Sequence, residues 1–153
     1  MAQVGVIGLG PMGLGMALSV ARQGMKIVGY DLNPAAVAKL AGGGGTAATS
    51  AANAARNADI LIVVVVNAAQ TDAILFGESG VANVIAAGGV IISCATMSPE
   101  DARRFGAKVE ALGLNYLDAP ISGGASKAAA GHLTVMASGT AEAFAKARPA
   151  LSA

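Results

Sequence analysis

Three glycines and one acid carry the chemistry this sequence most clearly offers. In Val4-Gly5-Val6-Ile7-Gly8-Leu9-Gly10-Pro11-Met12-Gly13, the residues Gly8, Gly10 and Gly13 fit G-x-G-x-x-G. Gly8 allows a tight turn out of an apolar strand. Gly10 lacks a Cβ, so the backbone can approach a pyrophosphate, and Gly13 lets the next helix lie close to the strand. That helix directs its free N–H groups and positive dipole end at the phosphates. A second apolar segment, Lys26 to Tyr30, closes on Asp31. A carboxylate there, roughly 20 residues past the glycines, can accept both hydroxyls of an adenosine ribose. A glycine turn alone is weak evidence. Strand, turn, helix, strand and acid in this order point to dinucleotide binding, against a structural βαβ unit that binds nothing. A carboxylate also repels a 2′-phosphate, and no arginine follows Asp31 directly, so NAD is favoured over NADP.

A second candidate is Ser122-Gly123-Gly124, placed after one predicted strand and before a short helix. A hydroxyl and exposed N–H groups there could hold a carboxylate or hydroxyl of a small substrate. By residue type alone this is no better than an ordinary loop.

The elements that must position these groups alternate between strand and helix. The first helix runs from Pro11 to Gln23, with Gly24 as its stop, and the second strand covers Lys26–Tyr30. Asn33-Pro34 starts a helix reaching Ala41, and the glycine run 42–45 reads as a flexible connection without chemistry. A short strand over Thr46–Ala48 and a helix capped by Ser50 and reaching Arg56 follow. Asp59–Val66 is a continuous β-branched run, as a parallel strand buried on both faces requires, and its end should open onto the cofactor. Then come helical stretches over Ala69–Phe76 and Gly80–Ala87, a strand over Val90–Cys94, and a helix capped by Ser98 that ends at Gly113. Strand Asn115–Asp118, a short helix over Ser126–Ala130, a strand over Leu133–Ala137 and a helix from Thr140 to Arg148 complete the chain. This pattern predicts a single-domain α/β fold of Rossmann type, a doubly wound and mostly parallel sheet with right-handed crossovers.

The 153 residues suit one domain, and the composition is apolar, at 54% hydrophobic and 12% charged. So little charge leaves apolar surface for a partner or for a further part of the protein. The longest strongly apolar run, Ile60–Val66, is far short of the roughly 20 residues a membrane helix needs. Met1–Val6 lead straight into a strand, so no signal peptide is expected. The single cysteine, Cys94, forms no internal disulfide and fits a reducing, cytoplasmic setting. A net charge of +1 and 3% aromatic residues argue against nucleic acid as a partner. One histidine and one cysteine supply neither a metal cluster nor a Ser-His-Asp arrangement.

Taken together, the chain resembles the β-hydroxyacid dehydrogenases, the family of 3-hydroxyisobutyrate dehydrogenase and tartronate semialdehyde reductase. Three segments carry the resemblance: Gly8 to Ala17, Cys94 to Pro99, and Asp118 to Gly124 with Gly131 to Thr134. Val66-Asn67-Ala68-Ala69-Gln70-Thr71-Asp72 is similar to the branch acting on four-carbon sugar acids, the L-threonate dehydrogenases. The resemblance implies that Gly8, Leu9, Gly10, Pro11, Met12 and Gly13 wrap the pyrophosphate of NAD and that Asp31 holds its adenine ribose. It further implies that Val65 and Val66 flank the cofactor, that Thr96 meets the nicotinamide side, and that Ser122, Gly123 and Gly124 take the substrate's carboxylate end. The implied reaction is hydride transfer between NAD and a small β-hydroxy acid, in a full-length enzyme that is a homo-oligomer.

One departure matters. The family's catalytic lysine lies on a later helix within G-x-G-x-x-x-K-x-x-x-N, and these 153 residues contain no such pattern. The chain is therefore expected to be the cofactor domain alone, cut before its last strand and without the helical C-terminal domain, and inactive by itself. Lys127 reads as a solvated surface lysine rather than a replacement base, and His132 as structural. Cys94, ending an apolar strand, reads as buried and inert. Two other readings stand beside the dehydrogenase: a non-catalytic nucleotide-binding module, and a relative of the NADPH-preferring imine reductases, against which Asp31 argues.

Overall fold

The computed structural model describes residues 2–153. Strands β1 (Gln3–Ile7), β2 (Lys26–Tyr30), β3 (Thr46–Ala47), β4 (Ile60–Val63), β5 (Val90–Ser93) and β6 (Asn115–Asp118) lie parallel. Two further pairs are short: β7 (Ile121–Ser122) with β8 (Thr134–Val135), and β9 (Ser138–Gly139) antiparallel to β6. The main sheet runs β3-β2-β1-β4-β5-β6-β9. Strand order therefore reverses between β1 and β4, and a ligand crevice forms outside the carboxyl ends of strands at such a point. The predicted Rossmann-type α/β fold is what the chain adopts.

Side-chain alternation makes both sheet faces apolar. Ile60 and Ile62 of β4 join one core with Val4, Val6 and Ile92, while Leu61 and Val63 join the other with Ile7 and Ile91. Helices cover these faces: α1 (Pro11–Arg22), α2 (Pro34–Gly42), α3 (Ala51–Ala55), α4 (Ala68–Phe76), α5 (Pro99–Ala111), α6 (Gly124–Ala130) and α7 (Ala141–Leu151).

Five helices start on a side-chain oxygen. Asn33, Ser50, Asn67, Ser98 and Thr140 each accept a first-turn backbone N–H at 2.9–3.1 Å. Such a cap is worth about 1 kcal/mol. The exceptions are α1 and α6, which start on Gly10 and Gly123 with no side-chain cap.

Several boundaries differ from expectation. The run Asp59–Val66 is strand only over Ile60–Val63, because its neighbours end there: Ile7 and Ser93 are the last residues opposite Val63. The same limit stops β5 at Ser93 rather than Cys94. Gly80–Ala87 holds one 3-10 turn, Val81–Asn83. Leu133–Ala137 is not one strand, since β8 covers Thr134–Val135 and pairs with β7 outside the main sheet. The glycine run is packed at two of its four positions, Gly43 and Gly45, while Gly42 and Gly44 face open space. A Cβ on Gly43 would strike Leu18, one on Gly45 would lie 2.6 Å from Leu40, and Gly45 N–H donates to Leu40 O at 3.0 Å. Helix α6 starts two residues earlier than predicted, at Gly124. Helix α7 continues past Arg148 through Pro149, and Ser152 N–H closes it on Arg148 O at 3.0 Å.

Candidate functional site

Two loops touch at the reversal point. After β1 the chain turns at Gly8, whose φ of +98° lies in the region that favours glycine. A Cβ there would run into Val64 O, on the turn after β4. Gly13 is equally confined, because its Cβ would strike Gly8 O. Gly10 is the opposite case: a Cβ on it would meet nothing within 4 Å. Gly8 and Gly13 thus serve the packing of turn and helix. Gly10 stands in open space at the uncapped start of α1, where backbone N–H groups and the helix dipole favour an anion.

Asp31 points into this corner. Its Oδ2 accepts Leu9 N–H at 2.7 Å, and its Oδ1 accepts Asn33 N–H at 2.8 Å. Gly8 N–H donates to Tyr30 O at 3.0 Å, which ties the glycine turn to the end of β2. The carboxylate is therefore fixed in direction. About four lone-pair sites exist on its two oxygens, so two remain for a ligand's hydroxyl groups. Beside it opens a cleft of about 460 Å³. Gly8, Asp31 and Val65 line it together with Leu32, Gln70 and Ile74. Leu32 is 89% exposed on the rim, an apolar side chain with nothing over it.

The sequence-predicted residues fall into two groups. Gly8, Asp31 and Val65 share the cleft, and Leu9 reaches it through the N–H given to Asp31. Pro11 and Met12 form the first turn of α1. Val66, Thr96, Ser122, Gly123 and Gly124 are all exposed, and none lines that cleft. The Ser122-Gly123-Gly124 segment leads instead into α6, which rests on α1. A Cβ on Gly15 would lie 2.7 Å from Ala129 N, so the missing side chain lets α6 settle against α1. Ser122 pairs with Thr134, and Gly123, with φ +138°, lies under the aliphatic stem of Lys127. His132 is exposed, its N–H donating to Lys127 O at 2.8 Å.

Sequence reading missed Leu32, Ala51, Gln70 and Ile74 as cleft residues. For Gln70 a signal existed: it stands three residues after the cap Asn67, the spacing of a capping pair.

On β5 and β6, on the sheet face that α5 covers, three oxygens are shut off from solvent without a hydrogen-bond partner: Ser93 Oγ, Tyr116 Oη and Asp118 Oδ1. Burial pushes the Tyr116 phenol up to about 12; the nearby Ser93 hydroxyl draws it down and the Asp118 charge adds to the rise. Burial first, and Asp118 second, push the Cys94 thiol up to about 12, which leaves it an inert thiol. Desolvation raises the Asp118 carboxyl as well.

Among the described residues, no helix is long and apolar enough to cross a membrane. The family model for the NAD binding domain of 6-phosphogluconate dehydrogenase matches residues 3–153. L-threonate dehydrogenase of Haemophilus influenzae is 46% identical over 151 residues, 98% of this chain and 50% of that protein. The 3-hydroxyisobutyrate dehydrogenase of Pseudomonas aeruginosa is 36% identical over 99% of this chain and 51% of its own length. A crystal structure of 3-hydroxyisobutyrate dehydrogenase from Salmonella typhimurium superposes with a TM-score of 0.94 at 46% identity, over all of this chain and 53% of that one. The chain thus spans about half the length of the relatives it matches. With a Rossmann sheet, an open glycine turn and an oriented acid at its switch point, it belongs to the NAD-binding domain family of the 6-phosphogluconate and 3-hydroxyisobutyrate dehydrogenases.

Proposed function

We propose that this chain is the cofactor half of an enzyme that moves a hydride between NAD and a small β-hydroxy acid of the L-threonate or 3-hydroxyisobutyrate kind. The observation that carries the reading is the held carboxylate of Asp31, aimed by Leu9 and Asn33 N–H at the cleft beside the glycine turn. A group that only accepts, with lone pairs to spare, suits two free ribose hydroxyls and repels a 2′-phosphate.

Bound NAD would supply the hydride acceptor. Gly8, Leu9, Gly10, Pro11, Met12 and Gly13 would hold its diphosphate, Asp31 its adenine ribose, and Val65 and Val66 one flank. Thr96 would meet the nicotinamide side, and Ser122, Gly123 and Gly124 the substrate carboxylate. Oxidising a hydroxyl also requires a base for its proton. The family places a lysine there within G-x-G-x-x-x-K-x-x-x-N, a pattern missing from these 153 residues. Residues 1–153 are then a dinucleotide-binding unit short of its last strand, completed in the working cytoplasmic enzyme by a helical domain and by homo-oligomer formation.

Calorimetric titration tests this. Wild type should bind NAD at least tenfold more tightly than NADP, and Asp31→Ala should weaken NAD by about 10- to 100-fold, the range for a lost charged hydrogen bond. The 153-residue chain should show no turnover of L-threonate with NAD. Equal NAD affinity in Asp31→Ala would sink the ribose assignment, and robust turnover would sink the claim that the proton acceptor lies elsewhere.

A further inference from the structure

Helix α1 starts at the glycine turn and lies against α6 along the rest of its length. Gly15, Ser19 and Arg22 face the last turn of α6 and the glycine that ends it. A Cβ on Gly15 would lie 2.7 Å from Ala129 N and 2.9 Å from Ala128 Cβ. One on Gly131 would lie 2.8 Å from Ser19 Oγ, which itself donates to Ala153 O at 2.7 Å. Small residues on both sides let the two backbones approach. They also give ridges too shallow to fix how far one helix slides along the other. The seven residues Gly124–Ala130 make too short a helix to hold its shape without tertiary support.

A directional bond crosses this contact. Arg22, the last residue of α1, donates from Nη2 to Ala129 O. Two neighbouring carbonyls of α6 are met from within: Gly131, at a φ of +74°, gives its N–H to Ala128 O at 3.2 Å, and His132 N–H goes to Lys127 O at 2.8 Å. Ala129 O takes no part in that closure. The guanidinium reaches it at the helix end where the dipole favours a cation. At its other end α6 has no such tie, since it starts on Gly123 with no side-chain cap, directly after Ser122. So short a helix moves as a rod. Whatever fixes the Ala129 end therefore sets where Gly124 and the residues leading into it stand. Arg22 is exposed, so its bond governs the seat of α6 more than the stability of the whole fold.

We propose that Arg22 is a positioning residue: by holding Ala129 O from α1 it seats α6, and so places loop 122–124 relative to the glycine turn. The use of that loop as a carboxylate site rests on the reading above. The test needs no ligand at the loop, so the two can fail separately. It compares wild type, Arg22→Met and Arg22→Lys by amide NMR signals, backbone hydrogen exchange, thermal melts and NAD titration. Arg22→Met keeps an aliphatic stem and loses the donor. It should speed exchange at Ala128, Ala129 and Ala130 about five- to tenfold and move the amide signals of Ser122, Gly123 and Gly124. The thermal midpoint and NAD affinity should stay as in wild type. Arg22→Lys keeps a charged donor and should return both the exchange rates and the loop signals toward wild type. Unmoved loop signals in Arg22→Met overturn the proposal even where exchange in α6 is faster, because the bond would then stiffen the helix without placing the loop. So do loop signals in Arg22→Lys that match those of Arg22→Met. A loss of NAD affinity in Arg22→Met would overturn it as well, by showing that α1 itself had been disturbed.

Discussion

The two ends of the carboxyl edge are built differently. At the β1–β4 end the groups that shape the candidate site are tied down: Asp31 has two N–H donors, Gly8 is tied to Tyr30, and Val66 to Gln70. At the β5–β6 end, Ser93, Tyr116 and Asp118 keep oxygens buried and unpaired, and the loop that follows β6, Ser122 to Gly124, is exposed. The uncapped helices mark the same two places, α1 at one end and α6 at the other. One region holds its ligand-facing groups in position through its own hydrogen bonds. The other presents a motif whose support within these residues stops at α1 and a two-residue ribbon. A nucleotide site complete within the chain beside an unfinished substrate site is what a chain half the length of its relatives would carry, under the reading proposed here.

The sharpest way to break this contrast is at the glycines. Gly8→Ala must place a Cβ against Val64 O at a φ of +98°. Backbone strain and overpacking of this kind together cost about 3 kcal/mol, so the thermal midpoint should fall by about 10 °C. Gly10→Ala meets nothing within 4 Å and should leave the midpoint unchanged. It should nevertheless weaken NAD at least tenfold, because the added methyl occupies the space a diphosphate needs. Paired unfolding and titration curves check both. Equal destabilisation by the two variants would mean that Gly10 is a packing glycine and that the open corner beside it is no cradle.

The same comparison shows what residue types could and could not reveal. Strands Lys26–Tyr30 and Asn115–Asp118 match expectation to the residue, since each is a short apolar segment bracketed by turn signals at Gly24 and Asp31, and at Gly113 and Pro120. The overrun to Val66 has a plain cause. Valine content is a property of one segment, whereas strand length depends on where Ile7 and Ser93, on two other segments, stop offering partners. The glycine turn and Asp31 were legible because their spacing is local to one βαβ unit. Ala51 and Ile74 were not, because α3 and α4 bring them to the cleft through crossovers that the sequence does not measure. The orphaned Ser93, Tyr116 and Asp118 depend on side-chain packing under α5, which no spacing reports.

A milder effect is expected in the loop from Ser122 to Gly124. Gly124 has a φ of +76°, yet a Cβ on it would find open space. Gly124→Ala should therefore cost only the left-handed backbone penalty, about 1 kcal/mol, read as a shift of a few degrees in the thermal midpoint. NAD affinity should not change, because this loop lies outside the nucleotide cleft. A fall in NAD affinity would show that the two ends are coupled and would erase the contrast drawn between them.

The smallest effect at neutral pH should come from Tyr116. Its hydroxyl makes no contact of full hydrogen-bond geometry, the nearby Ser93 hydroxyl included, so Tyr116→Phe should alter stability at pH 7 by less than about 0.5 kcal/mol. The difference should emerge in alkali. Burial raises the phenol from 10.0 and the Cys94 thiol from 9.0, each to about 12. In this window the folded chain keeps protons that the unfolded chain has released, so stability is full below pH 9 and falls as pH rises toward 12. Tyr116→Phe should remove the part of that fall beginning at pH 10 and leave the part owed to Cys94. Asp118 acts at the acid end with the same sign: its buried carboxyl titrates above 3.8, so its contribution is largest below that value and is lost as pH rises through the raised one. Denaturant melts of the wild type and Tyr116→Phe from pH 4 to pH 11 would follow both arms. If Tyr116→Phe instead lost more than about 1 kcal/mol at pH 7, the phenol would have a partner in solution, and the β5–β6 end would be as fully satisfied as the end that holds Asp31.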